Sequence, residues 1–200
     1  MKIEKLERNP GVDFQLELFC DIKINRSSVE QRCAEYAKRR SIKKDKQAAW
    51  LLKVLTLIDL TTLSGDDTNA RVRRLCRKAI NPINSVLKSR LSIDSLNIKT
   101  AAVCVYHEML SEASKQLKSS GVHLAAVSTG FPAGLSPLPL RIEEIKYSVA
   151  AGADEIDIVI SRRHVLEGNW KALYEEVKSF REACGDAHLK TILATGELGN

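Results

Sequence analysis

Between residues 54 and 194, five short aliphatic or β-branched runs alternate with four stretches that carry apolar residues at helical spacing. No other feature of the chain limits its fold as much. The runs fall at 54–60, 101–106, 124–129, 155–160 and 189–194. Between them, Val72, Leu75, Cys76 and Ala79 share one helical face, as do Leu110, Ala113 and Leu117, then Ile142, Ile145 and Val149, then Trp170, Leu173, Val177 and Phe180. Strands that alternate with helices pair in parallel through right-handed crossovers. The class is therefore α/β, and two closures compete: an open doubly wound sheet, or a barrel with its helices outside.

The polar residues inside the runs favour the barrel. Leu55, Leu57 and Asp59 share one parity in the first run, and Ala102, Cys104 and Tyr106 in the second. Asp157 interrupts Ile156, Ile158 and Ile160 in the fourth, and Lys190 shares a face with Ile192 and Ala194 in the fifth. Asp59, Cys104, Asp157 and Lys190 can thus all point into one interior. A lone buried carboxylate costs several kcal/mol, roughly, unless a partner compensates. Two acids and a lysine can compensate one another, and a barrel builds its active site from such residues. A sheet covered by helices on both faces has little use for them.

The flanking signals are those of helix ends and turns. Ser27 with Glu30 reads as a capping box opening a helix whose face carries Val29, Cys33 and Tyr36, with Lys38, Arg39 and Arg40 closing it. Asp66 or Asp67 is placed to cap the helix that Pro82 stops, and Gly168 precedes the last helix. Residues 1–46 read as a helical N-terminal extension and 47–200 as the partial barrel domain.

Composition narrows the chemistry. Five cysteines (Cys20, Cys33, Cys76, Cys104, Cys184) are scattered with no C-x-x-C pair, and read as reduced, mostly buried thiols. Four histidines show no ligand spacing, so no metal and no other cofactor is expected. There is no apolar run long enough to span a membrane and no signal-peptide pattern, so the expected location is the cytoplasm. The net charge of +6 is uneven: residues 26–46 hold eight basic residues against three acidic, and residues 71–90 hold seven and none. Aromatic residues for base stacking are missing from the second stretch, so a solvated helix face is expected there and nucleic acid is not an expected partner.

Five segments, in order, resemble one family. They are Leu57-Ile58-Asp59-Leu60-Thr61-Thr62-Leu63; Ala101-Ala102-Val103-Cys104-Val105-Tyr106; Gly130-Phe131-Pro132-Ala133-Gly134; Gly152-Ala153-Asp154-Glu155-Ile156-Asp157-Ile158-Val159; and Leu189-Lys190-Thr191-Ile192-Leu193-Ala194-Thr195-Gly196-Glu197-Leu198. Together they resemble deoxyribose-phosphate aldolase, a class I aldolase family, nearer its animal-type branch. The resemblance implies a (β/α)8 TIM barrel, here incomplete at about five of eight β/α units. It also implies reversible cleavage of 2-deoxy-D-ribose 5-phosphate to acetaldehyde and D-glyceraldehyde 3-phosphate, in deoxyribonucleoside catabolism. The reaction passes through a lysine Schiff base without a metal.

By the same resemblance, Asp157 is the proton donor and acceptor, Asp59 holds the lysine network, and Lys190 lies in the substrate pocket with Cys104 and Thr61. The resemblance further implies a homo-oligomer for a complete chain. His107 stands where the family usually has proline, which is expected to alter a loop. The family's Lys-Thr-Ser-Thr-Gly-Lys-like strand, bearing the Schiff-base lysine, and its Pro-Ala-Gly-Gly segment occur nowhere in these 200 residues. On that reading the chain is C-terminally truncated, inactive alone, and poorly stable because two sheet edges are exposed. Three other readings remain: a catalytically dead fragment acting as an interaction or regulatory partner of the full-length enzyme, a minimal aldolase using Lys190 for the Schiff base, and a nucleic-acid binder using the two basic stretches.

Overall fold

The computed structural model describes residues 11–199. Asp59–Thr61 (β1), Ala102–Val105 (β2), His123–Val127 (β3), Glu155–Val159 (β4) and His188–Ile192 (β5) form one parallel sheet in the order β1-β2-β3-β4-β5. Strict sequential order is the signature of a singly wound barrel. A doubly wound sheet reverses order at a switch point, and none occurs among these strands. The architecture is five consecutive units of a β/α barrel.

Among the described residues, eight α-helices accompany the strands: Arg26–Lys38 (α1), Lys44–Leu55 (α2), Asn69–Ile80 (α3), Ser85–Arg90 (α4), Leu110–Leu117 (α5), Leu138–Ala150 (α6), Arg162–Leu166 (α7) and Trp170–Ala183 (α8). The larger core lies between sheet and helices, where Val103, Val105, Leu124, Ala126, Ile156 and Ile158 meet Val72, Cys76, Ala79, Leu110, Ala113, Ile145 and Phe180. The opposite parity of the same strands makes a second, smaller cluster of Ala102, Cys104, Ala125 and Val127, flanked by Leu63, Tyr106, Phe131 and Ile192. Period-2 alternation thus sorts helix-facing from barrel-facing residues on every strand.

The curvature follows from one contact. Laid flat, β1 and β5 would stand four strand spacings apart, about 19 Å. Yet Lys190 Nζ of β5 lies 2.5 Å from Asp59 Oδ2 of β1. A lysine and an aspartate together cannot span the flat distance, so the sheet is curled into an arc whose concave side holds both. The chain folds as the barrel and not as the open sheet.

Several local expectations are corrected. Residues 54–60 are not one strand: Val54 and Leu55 end α2, Leu57 is exposed, and only Asp59 of the Leu55, Leu57, Asp59 set lies on the strand. The run from Ala48 to Leu55 is good helix former, and a short apolar run does not by itself distinguish helix from strand. The N-cap of α1 is Asn25, whose side chain accepts from Ser28 N at 3.1 Å, and not Ser27. Val29, Cys33 and Tyr36 are exposed, and α1 buries no residue at all. Thr68, not Asp66 or Asp67, caps α3; the two acids instead hold Arg71. The short α4 and α7 carry too few turns to show a period, and the sequence pattern missed both. The last strand ends at Ile192, and Ala194 leaves it with φ +49°. Cys76, Cys104 and Cys184 are buried thiols, while Cys20 and Cys33 are exposed.

His107 begins a 3-10 turn, His107–Met109, and its Nδ1 lies 3.2 Å from Ser148 Oγ on α6. Where a proline would only restrict the loop, histidine ties it to a helix. At the other end of the chain, Phe14 and Phe19 pack against Tyr174 and Trp170, and Tyr174 Oη donates to the Val12 carbonyl at 2.7 Å. The segment before α1 therefore lies across α8.

Candidate active site

On the concave face, side chains from four strands converge. Lys190 and Asp157 are register partners on β5 and β4, and Glu155 lies two residues before Asp157 on the same face. The Lys190 ammonium is 2.5 Å from Asp59 Oδ2, 2.9 Å from Glu155 Oε2 and 3.0 Å from Asp157 Oδ1. Cys104 on β2 donates through Sγ to Asp157 Oδ2 at 3.5 Å. The intervening strand contributes Ala125, and β2 adds Ala102. Both are fully buried and end at Cβ, so the long lysine can cross the arc above them. Thr61 is on the same face, opposite Cys104 in register, but it is exposed and its Oγ1 donates to the Asp59 carbonyl at 3.3 Å.

The backbone that carries Asp157 is held by the segment that follows β3. Ser128 N donates to the Asp157 carbonyl at 2.9 Å. Thr129 Oγ1 donates to the Val159 carbonyl at 3.1 Å and accepts from Val159 N at 2.6 Å. These bonds extend the β3–β4 pairing past the regular ladder to the C-terminal strand ends, where barrels place their chemistry.

Electrostatics distinguishes the roles open to each group. Burial alone would lower the Lys190 pKa, but hydrogen bonds to Asp59 and Glu155 and the charge of Asp157 outweigh it and hold the ammonium protonated well above the usual lysine range. A protonated amine has no lone pair, so Lys190 is in the opposite condition to a Schiff-base nucleophile. Burial raises the pKa of Asp157, and the neighbouring Lys190 charge only partly offsets it. The nearby Asp59 charge adds to the same upward push. Asp157 therefore holds a proton to higher pH than an ordinary aspartate does. Burial first, and then the Asp157 carboxylate, push the Cys104 thiol up to about 12, so it stays a neutral donor and not a thiolate.

Asp59, Cys104, Asp157 and Lys190 are brought together as their parity suggested. Glu155 was missed, although its position two residues before Asp157 put it on the same face. Among the described residues no cluster of three His, Cys, Asp or Glu side chains is arranged to hold a metal ion; the three carboxylates converge on an ammonium. Nor is any described helix long and apolar enough to cross a membrane. In the basic stretch 71–90, Arg71 is engaged by Asp66 and Asp67, and Arg73 by Glu112.

Comparison with known proteins adds an independent line. A family model described as DeoC/LacD family aldolase matches residues 53–200. Over 192 residues the chain is 53% identical to deoxyribose-phosphate aldolase of Mus musculus, covering 95% of this chain and 60% of the mouse protein. Over 193 residues it is 51% identical to the Homo sapiens protein of the same name, covering 96% and 61%. The chain therefore spans about three-fifths of the length of these relatives. Among solved structures, the tetrameric deoxyribose phosphate aldolase of Aeropyrum pernix superposes with a TM-score of 0.52 at 25% identity, over 71% of this chain and 53% of that one. The aldolase QR15 gives 0.59 at 23% identity, over 73% and 57%, a likeness of fold alone.

Proposed function

The chain belongs to the DeoC/LacD family of aldolases, and on that footing we propose that its concave face serves the reversible cleavage of 2-deoxy-D-ribose 5-phosphate to acetaldehyde and D-glyceraldehyde 3-phosphate. The observation that carries this reading is the convergence of Asp59, Glu155 and Asp157 on the Lys190 ammonium. Such a cluster supplies two things that Schiff-base chemistry needs. One is a carboxyl group able to pass protons as carbinolamine, imine and enamine interconvert, which we assign to Asp157. The other is an excess of negative charge, which stabilises a cationic iminium wherever the reacting amine is held.

In this reading Lys190 orients the acids and faces the substrate, Asp59 anchors the lysine network across the barrel, and Cys104 and Thr61 line the pocket. The reacting amine is a different lysine, held on a later strand in the family that the sequence resembles. A phosphorylated sugar is the substrate, no metal takes part, and the working form is a homo-oligomer, as the tetrameric relative suggests. A role in deoxyribonucleoside catabolism in the cytoplasm follows from that substrate. We also propose residues 1–46 as an N-terminal extension and 47–200 as the barrel domain, a division supported by the absence of buried residues in α1.

The test is an assay of 2-deoxy-D-ribose 5-phosphate cleavage on the 200-residue chain and on any longer product of the same gene. In whichever form is active, Asp157→Asn should lower kcat by about 10²-fold or more, the range expected for a lost general acid or base. Borohydride reduction with acetaldehyde should leave Lys190 unmodified by mass spectrometry. Full activity in Asp157→Asn, or a reduced adduct on Lys190, would remove the assignment.

A further inference from the structure

Glu155 has none of the roles given to Asp59, Asp157 and Lys190, yet it belongs to the same cluster. It opens β4 two residues before Asp157, about 7 Å nearer the N-terminal end of the strand. Barrels place their chemistry at the C-terminal strand ends, so Asp157 stands between Glu155 and that mouth. The Glu155 side chain is only 18% exposed. A carboxylate set that deep acts on the chemistry only through a neighbour.

That neighbour is Lys190, whose ammonium is 2.9 Å from Glu155 Oε2 and 3.0 Å from Asp157 Oδ1. Close as it is, the ammonium meets Asp157 Oδ1 off the direction that a hydrogen bond needs. That oxygen is buried and has no hydrogen-bond partner among the described residues. The aligned hydrogen bond goes to Asp59 Oδ2, and the other Asp157 oxygen, Oδ2, accepts from Cys104 Sγ. Leaving a buried, charged oxygen unpaired is costly, which favours a proton on it. Around Glu155 itself stand Lys190 and its exposed register partner His188 on β5, Asp157 on β4, and His123 on β3. His123 Nδ1 is 3.9 Å from Glu155 Oε1, and its side chain is 41% exposed. Asp157 also meets Cys104 of β2 and the charge of Asp59 of β1.

On the footing of the proton-carrying role proposed above for Asp157, we propose that Glu155 is a positioning residue of this site. By sharing the Lys190 ammonium it keeps that group out of alignment with Asp157, whose Oδ1 stays free to carry a proton. Asp59 pulls on the ammonium from β1 and Glu155 from β4, so it is held from two strands. Without Glu155, one of the two attractions that compete with Asp157 is lost, and the ammonium can settle squarely on Oδ1. A negative charge two residues from Asp157 is lost as well. Both changes favour the ionised form of Asp157, so the sign of the effect is fixed.

Titration of the Asp157 carboxyl carbon by NMR, in the 200-residue chain at fixed ionic strength, tests this. Glu155→Gln keeps the side-chain shape and removes its charge, and the Asp157 midpoint should fall by about 1 pH unit, the scale of one nearby charge. Glu155→Asp restores the charge and should bring the midpoint most of the way back. Glu143→Gln removes an exposed carboxylate on α6 and should leave the midpoint unchanged. In the wild type itself, the Asp157 signal should show a second step at the midpoint of Glu155, because protonating Glu155 removes the same charge. In whichever form cleaves 2-deoxy-D-ribose 5-phosphate, the Asp157-dependent limb of the kcat profile should move down with the midpoint in Glu155→Gln. A midpoint that stays at its wild-type value in folded Glu155→Gln, or that Glu143→Gln moves as far, overturns the proposal. So does a wild-type signal without the second step, whether or not any variant folds. A midpoint that falls in a protein without aldolase activity supports the positioning and counts instead against the function proposed above.

Discussion

Lys190 sets the charge state of everything it touches. Among the described residues it is the one cation that three carboxylates share, and removing it leaves them facing each other in a half-buried pocket. Partly buried ion pairs lie between the fraction of a kcal/mol typical of exposed pairs and the 3–5 kcal/mol lost on breaking buried ones, so Lys190→Met should destabilise the protein by about 2 kcal/mol in denaturant unfolding. The pH dependence has a fixed sign. The folded-state pKa of Lys190 is raised above its ordinary 10.5, so its stabilising effect is complete below that value and is lost only as pH rises past it. The stability gap between wild type and Lys190→Met should thus be flat from pH 7 to about pH 10 and shrink beyond. A gap that closes nearer neutrality would mean that the ammonium is not held as the geometry places it.

At the scale of elements, local competition between candidate caps and turns decides details that hydrophobic period does not. Asn25 and Ser27 are both good capping residues two positions apart, and only Asn25 bonds to a helical amide. Because α1 buries nothing, its stability is local. Asn25→Ala should reduce helical content in that segment, read by amide hydrogen exchange, at a cost of about 1 kcal/mol, while Ser27→Ala should change little. Gly134 is a turn where the conformation does require glycine: φ is +69°, and an added Cβ would stand 3.1 Å from Val159 Cγ1 and 3.2 Å from the Ile160 carbonyl oxygen. A backbone oxygen cannot swing aside. Gly134→Ala should destabilise by about 2 kcal/mol in thermal or denaturant unfolding, combining left-handed strain with close contact to β4.

Across the whole molecule the governing feature is an arc of five strands whose first and last members each keep one edge unpaired among the described residues. Unpaired edges template further strand pairing, and exposed Leu57 and Leu193 lie beside them. The 200-residue chain should therefore associate with itself as concentration rises, measured by sedimentation velocity. A sharp monomer boundary retained at high concentration would show that the edges are protected. The same arc that carries these edges also makes the site, since only a curled sheet lets β1 and β5 share an ion pair. The α/β class was legible in the sequence because alternation of period is a local property. The site was legible in outline for the same reason, since parity alone placed Asp59, Cys104, Asp157 and Lys190 on one face. Glu155 was passed over because a charged residue opening a strand also suits a solvent-facing end, and only the path of the Lys190 side chain distinguishes the two.

By themselves, the residues determined the α/β class, the helix faces of α3, α5, α6 and α8, and which residue parity of β1, β2, β4 and β5 would carry polar groups. All of these follow from backbone geometry repeated every two or 3.6 residues. Tertiary structure alone decided that β1 and β5 curl onto one concave face and that three carboxylates share one ammonium. Those outcomes depend on where segments far apart in the chain come to rest against each other. Sheet curvature and packing set that, and no short stretch of sequence encodes it.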